Sequence, residues 1–334
     1  MKKVGILFGM ENTFPGALVE RINGMNAGVV AEFVELGATT MHDPTKYDVI
    51  IDRISQDIPY YRSFLKNAVL GGTEVINNPF WWSADDKFFN YGLAEKIGVA
   101  VPKTVLLPSH RHPPNTTAQS MRNLVFPLPW KKIFSYVGFP AFLKPYSGGG
   151  WKHVYKVHNE EDFFHFYHQT DDMVMTLQEG IEFDKYFRCY VIGQENVRVM
   201  PYDPQQPHEN RYVLGGVETD DALERRVMED SRKLCRALGY DINTVEFAVR
   251  DGIPYAIDFL NPAPDAEYHS VGADNFEWVV NAIADLAVQR ALKSNSVAKD
   301  YRWVTFMNGG SGTVSAAKGG EETRTRKPVK ASKK

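Results

Sequence analysis

Apolar positions along this chain fall into short runs rather than long ones. VGILF (residues 4–8) reads as a buried parallel strand. YDVIIDRIS (47–55) and TEVINN (73–78) read as further β-branched strands. Between them Pro15 opens a predicted helix that continues to about Glu35. Strands separated by helical stretches predict an open α/β sheet over roughly residues 1–80. Asp85-Asp86-Lys87 then starts a predicted helix reaching about Ile97, and GVAVPKTVLLP follows as loop and strand.

From residue 139 the pattern changes. FPAFLKPY, HVYKV, MVMTLQEGI, FRCYVIG, VRVMPYD, NTVEFAVRD and IPYAIDFLN are all strand-like, with helical patterns at 159–169, 221–238 and 275–292. Many strands with a few helices predict an α+β region with antiparallel sheets. After Asn308 the Gly/Ser/Lys-rich segment GGSGTVSAAKGGEETRTRKPVKASKK offers almost no large apolar residue and predicts disorder.

Composition narrows the class. The 334 residues are 43% hydrophobic and 24% charged, which describes a globular protein of two or three subdomains. A net charge of −3 argues against a nucleic-acid or membrane surface over the whole body. The two cysteines, Cys189 and Cys235, lie far apart in no metal-type spacing, so a reducing cytoplasm is expected and both thiols read as core packing. The apolar run at the N-terminus is too short for a signal-peptide core, and no run is long enough to span a membrane.

The most informative stretch is FPAFLKPYSGGGWKHVYKV (139–157). On a strand, Ala141 and Leu143 take one face while Phe142 and Lys144 take the other, so Lys144 points into enclosed space and needs an anionic partner. Ser147, Gly148, Gly149 and Gly150 follow between two strands. That predicts a hairpin flap whose bare backbone N–H groups can close over phosphates. GxxxxGK[ST] is absent, and GxGxxG fails because His153 stands where glycine is required. The plainer alternative is a lysine reaching the surface beside an ordinary turn.

Further on, TVEFAVRDGIPYAIDFLNPAPD carries Glu246, Asp258 and Asn261, oxygen ligands suited to Mg²⁺. A two-residue loop at Asp251-Gly252 pairs Glu246 with Ile257 and turns Asp258 to the opposite face. A three-residue loop, Arg250 to Gly252, sets the two acids on one face as diagonal neighbours about 7–8 Å apart. The shared site therefore predicts the three-residue loop. Asn261 lies three residues beyond Asp258, so the chain must bend or bulge before Pro262 to bring it to the same side.

In sequence order, DDK at a helix start, FLKP-SGGG, QEGI, FRCYVIG and EFAVRDG-YAIDFLNP resemble the ATP-grasp superfamily, in its glutamate-ligase and glutathione-synthetase-like branch. The resemblance covers about residues 1–295. It implies an N-terminal α/β domain (1–100), a central lobe with the glycine flap (101–182), a C-terminal lobe with the metal site (183–305) and a tail (306–334). Nucleotide is expected between the two lobes. By position it implies that Lys87 and Lys144 meet the ATP phosphates, that Ser147 to Gly150 form the flap, that Glu179 and Ile181 meet adenine and that Asp184 meets ribose. Glu246, Asp258 and Asn261 would hold Mg²⁺ or Mn²⁺. The implied reaction joins a small-molecule carboxylate to an amine through an acyl phosphate, with Arg188 and Arg211 supplying fixed positive charge. A kinase acting on a hydroxyl, or a non-catalytic nucleotide-binding module, is the alternative. A homo-oligomer is compatible with this reading.

Three further residues are substrate candidates. Arg53 follows a strand of the open sheet, where it either holds a substrate carboxylate or makes a structural ion pair. Asp265 and Glu267 follow the metal strand and are candidates to receive the incoming amine. His165 and His168 lack a third zinc ligand. Trp81 and Trp82 read as packing at a subdomain boundary.

Overall fold

The computed structural model describes residues 1–43, 45–80, 86–207, 210–212 and 221–293. The expectations for Trp81, Trp82, Asp85 and the tail fall outside them. Residues Met1–Asn295 form one compact unit.

The first sheet is parallel. It is built from β1 (Lys2–Leu7), β2 (Val29–Phe33), β3 (Val49–Asp52) and β4 (Glu74–Ile76) in the order β2-β1-β3-β4. Helices α1 (Phe14–Gly24) and α2 (Pro59–Leu70) provide crossovers. The helix expected to run to Glu35 ends at Gly24. Asn26 and Gly28 take positive φ (51° and 75°), and the β-branched pair Val29-Val30 then runs beside β1 with Lys2 opposite Val29. A left-handed turn and β-branched residues overrode the helical pattern.

Helix α3 (Lys87–Lys96) is capped by Asp86, whose carboxylate accepts from the Phe89 amide at 2.9 Å. The second sheet is antiparallel: β5 (Thr104–Leu107), β6 (Ala141–Pro145), β7 (Tyr155–Val157) and β8 (Met175–Glu179), in the order β5-β8-β6-β7. Helices α4 (Trp130–Val137) and α5 (Glu160–Tyr167) cover it, and Phe134, Leu143, Phe163 and Leu177 fill the space between. Sequence patterning did not foresee α4.

The third sheet is also antiparallel: β9 (Lys185–Ile192), β10 (Asn196–Pro201), β11 (Ile242–Arg250) and β12 (Ile253–Asp258), in the order β10-β9-β11-β12. Its Phe187, Cys189, Val245 and Phe247 pack on α3 and on α6 (Asp221–Leu238). Tyr186, Tyr190 and Ile192 look the other way, toward α1 and the helices α7 (Tyr268–Val271) and α8 (Ala273–Lys293). The alternation of β9 therefore sends Arg188 to the second face, with the tyrosines.

Candidate active site

Glu246 and Asp258 meet through a register shift. The hairpin loop has two residues, Asp251 (φ 54°) and Gly252 (φ 72°), with Arg250 opposite Ile253. Two consecutive positive φ values give the turn that suits a right-twisted hairpin. The expectation of a three-residue loop is thus wrong. A bulge between Glu246 and Phe247 changes the pairing instead: Phe247 lies opposite Ala256, but Glu246 lies opposite Asp258. Ile257 is the extra residue, and the insertion turns Asp258 to the side of Glu246.

Glu246 accepts from the Tyr186 hydroxyl at 2.7 Å and lies 3.7 Å from the Arg188 guanidinium. Burial pushes its carboxyl up, Arg188 opposes that, and Asp258 adds to the rise. Asn261 reaches the same face because the chain leaves the strand after Asp258. Its side-chain amide donates at 2.9 Å to the hydroxyl of Thr244, two residues before Glu246 and on the same face of β11. Two opposed carboxylates with a neighbouring amide oxygen are a donor set of hard oxygens, which fits Mg²⁺ or Mn²⁺. Among the described residues no group of three or more His, Cys, Asp or Glu is arranged for a metal.

Lys144 sits across from this pair. It is 9% exposed and donates to the Tyr91 hydroxyl and to the Gln178 side-chain oxygen, each at 2.8 Å. Tyr91 in turn donates to the Ile257 carbonyl, so the bulge that aligns the acids also anchors the lysine's neighbour. Burial pushes the ammonium down to about 8, against the pull of Asp258 and Glu246. An unfolded lysine titrates near 10.5. Between those values the unfolded chain holds the extra proton, so this residue's contribution to stability grows as pH rises from about 8 to 10.5. Lys144→Met should remove that slope, read as the difference in denaturant midpoint between parent and variant across the window.

Lys87 opens α3. Its amide donates to the Tyr146 carbonyl at 2.8 Å, and its ammonium donates to the Gly148 carbonyl. The glycine segment is exposed, with positive φ at Gly148 and Gly150. Ser147 is half-buried beside it. Arg188, 7% exposed, donates to the Tyr202 hydroxyl at 3.2 Å and lies under the rings of Tyr202 and Tyr212. Burial works against its charge, but Tyr212, Glu246 and Tyr202 more than offset that. Its Nε is buried with no hydrogen-bond partner among the described residues. Arg211 donates from Nε to the Gln206 carbonyl at 3.0 Å and lowers the Glu246 carboxyl, so its charge reaches the same centre.

Other candidates are committed elsewhere. The Glu179 carboxylate pairs with Arg250 at 2.9 Å and accepts from the Lys103 amide at 3.2 Å. Ile181 is buried in the core beside Tyr186. Both side chains are thus engaged within the protein. Gly180 is required there, because a Cβ would stand 2.6 Å from the Pro140 carbonyl oxygen. Asp184 is exposed at the start of β9, its amide donating to the Val249 carbonyl at 3.1 Å.

Arg53 is buried in an ion pair with Glu11 and also donates to the Pro264 carbonyl, which is the structural alternative. Its Nη1 is buried with no hydrogen-bond partner among the described residues. Glu267 is not placed for an amine. It accepts from the amides of Asn12 (2.8 Å) and Thr13 (3.1 Å) and from the Thr13 hydroxyl (2.9 Å), holding the start of α1. Burial raises its carboxyl, but these donors bring it below the usual range. Asp265 accepts from the Glu267 amide at 2.9 Å, and its carbonyl accepts from Tyr190 at 2.7 Å. His165 lies against Gln169, and His168 against the ring of His110. Cys189 and Cys235 are buried; burial pushes the Cys235 thiol up to about 12 and Cys189 higher still.

Sequence reasoning missed Tyr91, Gln178, Tyr186 and Thr244. Tyr91 carried a signal, since it follows Lys87 by one helical turn and shares its face. No membrane-length apolar helix occurs among the described residues.

No model of a known protein family matches the chain. A curated relative is the D-alanine--D-alanine ligase of Limosilactobacillus fermentum, 21% identical over 198 residues; the match covers 52% of this chain and 52% of that protein. The chain thus spans about half the length of the curated relative it matches. Similar solved structures include the D-alanine--D-alanine ligase of Bacillus anthracis complexed with ATP (TM-score 0.59, 17% identity, 88% of this chain and 98% of that one). An ATP-grasp RimK domain protein from Sphaerobacter thermophilus also matches (TM-score 0.59, 16% identity, 87% and 99%). So does the ATP-grasp ligase PsnB complexed with a minimal precursor (TM-score 0.60, 13% identity, 87% and 99%). These similarities extend over most of the chain, and its fold is the ATP-grasp fold.

Proposed function

We propose that the chain is an ATP- and Mg²⁺-dependent ligase that joins a small-molecule carboxylate to an amine through an acyl phosphate. The observation that carries this reading is the direct pairing of Glu246 with Asp258 beside the buried ammonium of Lys144. Glu246 is half-buried and Asp258 exposed, and two carboxylates set opposite each other repel unless a cation joins them. The fold's relatives support the choice of ligase, since a D-alanine--D-alanine ligase appears in both comparisons.

The chain's own groups divide the work. Lys144 and Lys87 meet the nucleotide phosphates, the backbone of 147–150 covers them, and the backbone of 179–181 borders the base. Glu246, Asp258 and Asn261 would hold the metal, which when bound neutralises charge on the transferred phosphoryl group. Arg188 and Arg211 face the oxygens that gain charge as the phosphoryl group moves and as the amine adds. The buried tyrosines around Arg188 exclude water, which keeps an acyl phosphate from hydrolysis.

The test is ADP release across a matrix of carboxylic acids and amines. A ligase releases ADP and phosphate only where acid and amine are both present. ADP formed with a hydroxyl acceptor and no amine would make the protein a kinase; nucleotide bound but never turned over would make it a binding module. Arg188→Lys keeps the charge but loses the planar fork. It should lower kcat by at least about tenfold, roughly 1.4 kcal/mol, with little change in ATP affinity. Weakened ATP binding with unchanged kcat would move Arg188 to the ground-state nucleotide site.

A further inference from the structure

We propose that Trp151, at the tip of the glycine loop, positions Arg211 and so couples closure of that loop over nucleotide to placement of a charge at the reacting phosphate. The inference rests on the nucleotide-binding reading above and adds a residue which that reading does not use.

The loop between β6 and β7 is fixed at its base and free along its length. The Tyr146 amide donates to the Val174 carbonyl at 3.1 Å, and Lys87 holds Tyr146 and Gly148 through their carbonyls. Beyond that point a Cβ on Gly148, Gly149 or Gly150 would meet nothing within 4 Å among the described residues, so the segment packs on none of them. Trp151 follows, 58% exposed and with φ at 60°. A bulky aromatic residue rarely adopts that left-handed backbone. Here it brings the indole to Arg211, whose guanidinium carbon stands 5.7 Å from the ring centroid.

Arg211 is prepared for this contact from behind. Its Nε donates to the Gln206 carbonyl, its own carbonyl accepts from the Asp203 amide at 2.8 Å, and the next residue, Tyr212, pairs with Tyr202. Its charge is felt at Glu246. An aromatic face holds a cation without neutralising it. A carboxylate in the same place would orient the guanidinium equally well but cancel the charge that a phosphoryl group needs. The loop tip and the arginine thus hold each other, one from the second sheet and one from the third.

The experiment measures release of a fluorescent ATP analogue, mant-ATP with Mg²⁺, chased with unlabelled Mg-ATP. Trp151→Ala should leave the melting temperature without nucleotide unchanged, because the side chain is largely exposed, and should speed release about two- to fivefold. Trp151→Phe should recover part of the loss. Arg211→Ala should speed release at least as much, and the double variant no further than Arg211→Ala alone. Parental release from Trp151→Ala, or effects that multiply in the double variant, would overturn the coupling while leaving nucleotide binding intact. A parent protein that fails to bind mant-ATP with Mg²⁺ would instead remove the nucleotide reading, and this inference with it.

Discussion

Glu246→Gln and Asp258→Asn should each lower turnover by at least about a hundredfold, the scale on which removing one fixed electrostatic group acts at a reacting centre. Each change keeps the shape of the side chain and removes one charged oxygen ligand. The free protein should be as stable as the parent or slightly more so. Glu246 is half-buried, and its carboxyl is raised first by burial and also by Asp258, so neutralising either acid relieves repulsion in the free protein. Loss of the Arg188 contact does not reverse this sign, because burial raises the Glu246 carboxyl by more than Arg188 lowers it. Mg-ATP should raise the melting temperature of the parent and raise that of either variant much less. Full turnover and full Mg-ATP stabilisation in both variants would show that these acids hold no metal.

Lys144→Met should weaken ATP binding by about ten- to a hundredfold, the value of one charge-assisted hydrogen bond of roughly 1.5–3 kcal/mol. The two side chains are close in volume, so Leu143 and the rest of the second sheet's core keep their packing. The Tyr91 hydroxyl retains its bond to the Ile257 carbonyl, while the Gln178 oxygen loses a donor. Calorimetric titration with Mg-ATP reads the result. An unchanged dissociation constant would place Lys144 outside the phosphate site.

Strand alternation alone put Lys144 on the face of Phe142, because period two is a strict consequence of the pleat and the strand is unbroken from Ala141 to Pro145. The antiparallel character of the second and third sheets was legible for a related reason, in the closely spaced strand runs. The pairing of Glu246 with Asp258 was not. Counting along both strands assumes a regular ladder, and one inserted residue at Ile257 changes which partner faces which. Nothing in the side chains of IPYAID announces that insertion. The role of Glu267 was hidden as well, since its partners Asn12 and Thr13 lie far off in sequence. The strand at Val29–Phe33 was concealed by a helix-like pattern that Gly28 interrupts.

Oxygen transfer from substrate to phosphate tests the central claim most directly. If ATP phosphorylates a carboxylate and an amine then displaces the phosphate at the carbonyl carbon, the released phosphate carries one oxygen that began in the acid. With an acid and amine found to support ADP release, and the acid's carboxylate labelled with ¹⁸O, mass spectrometry of the phosphate should show one labelled atom per molecule. Unlabelled phosphate accompanying ADP release would contradict the acyl-phosphate ligase and leave hydrolysis or transfer to another group as the reaction of this site.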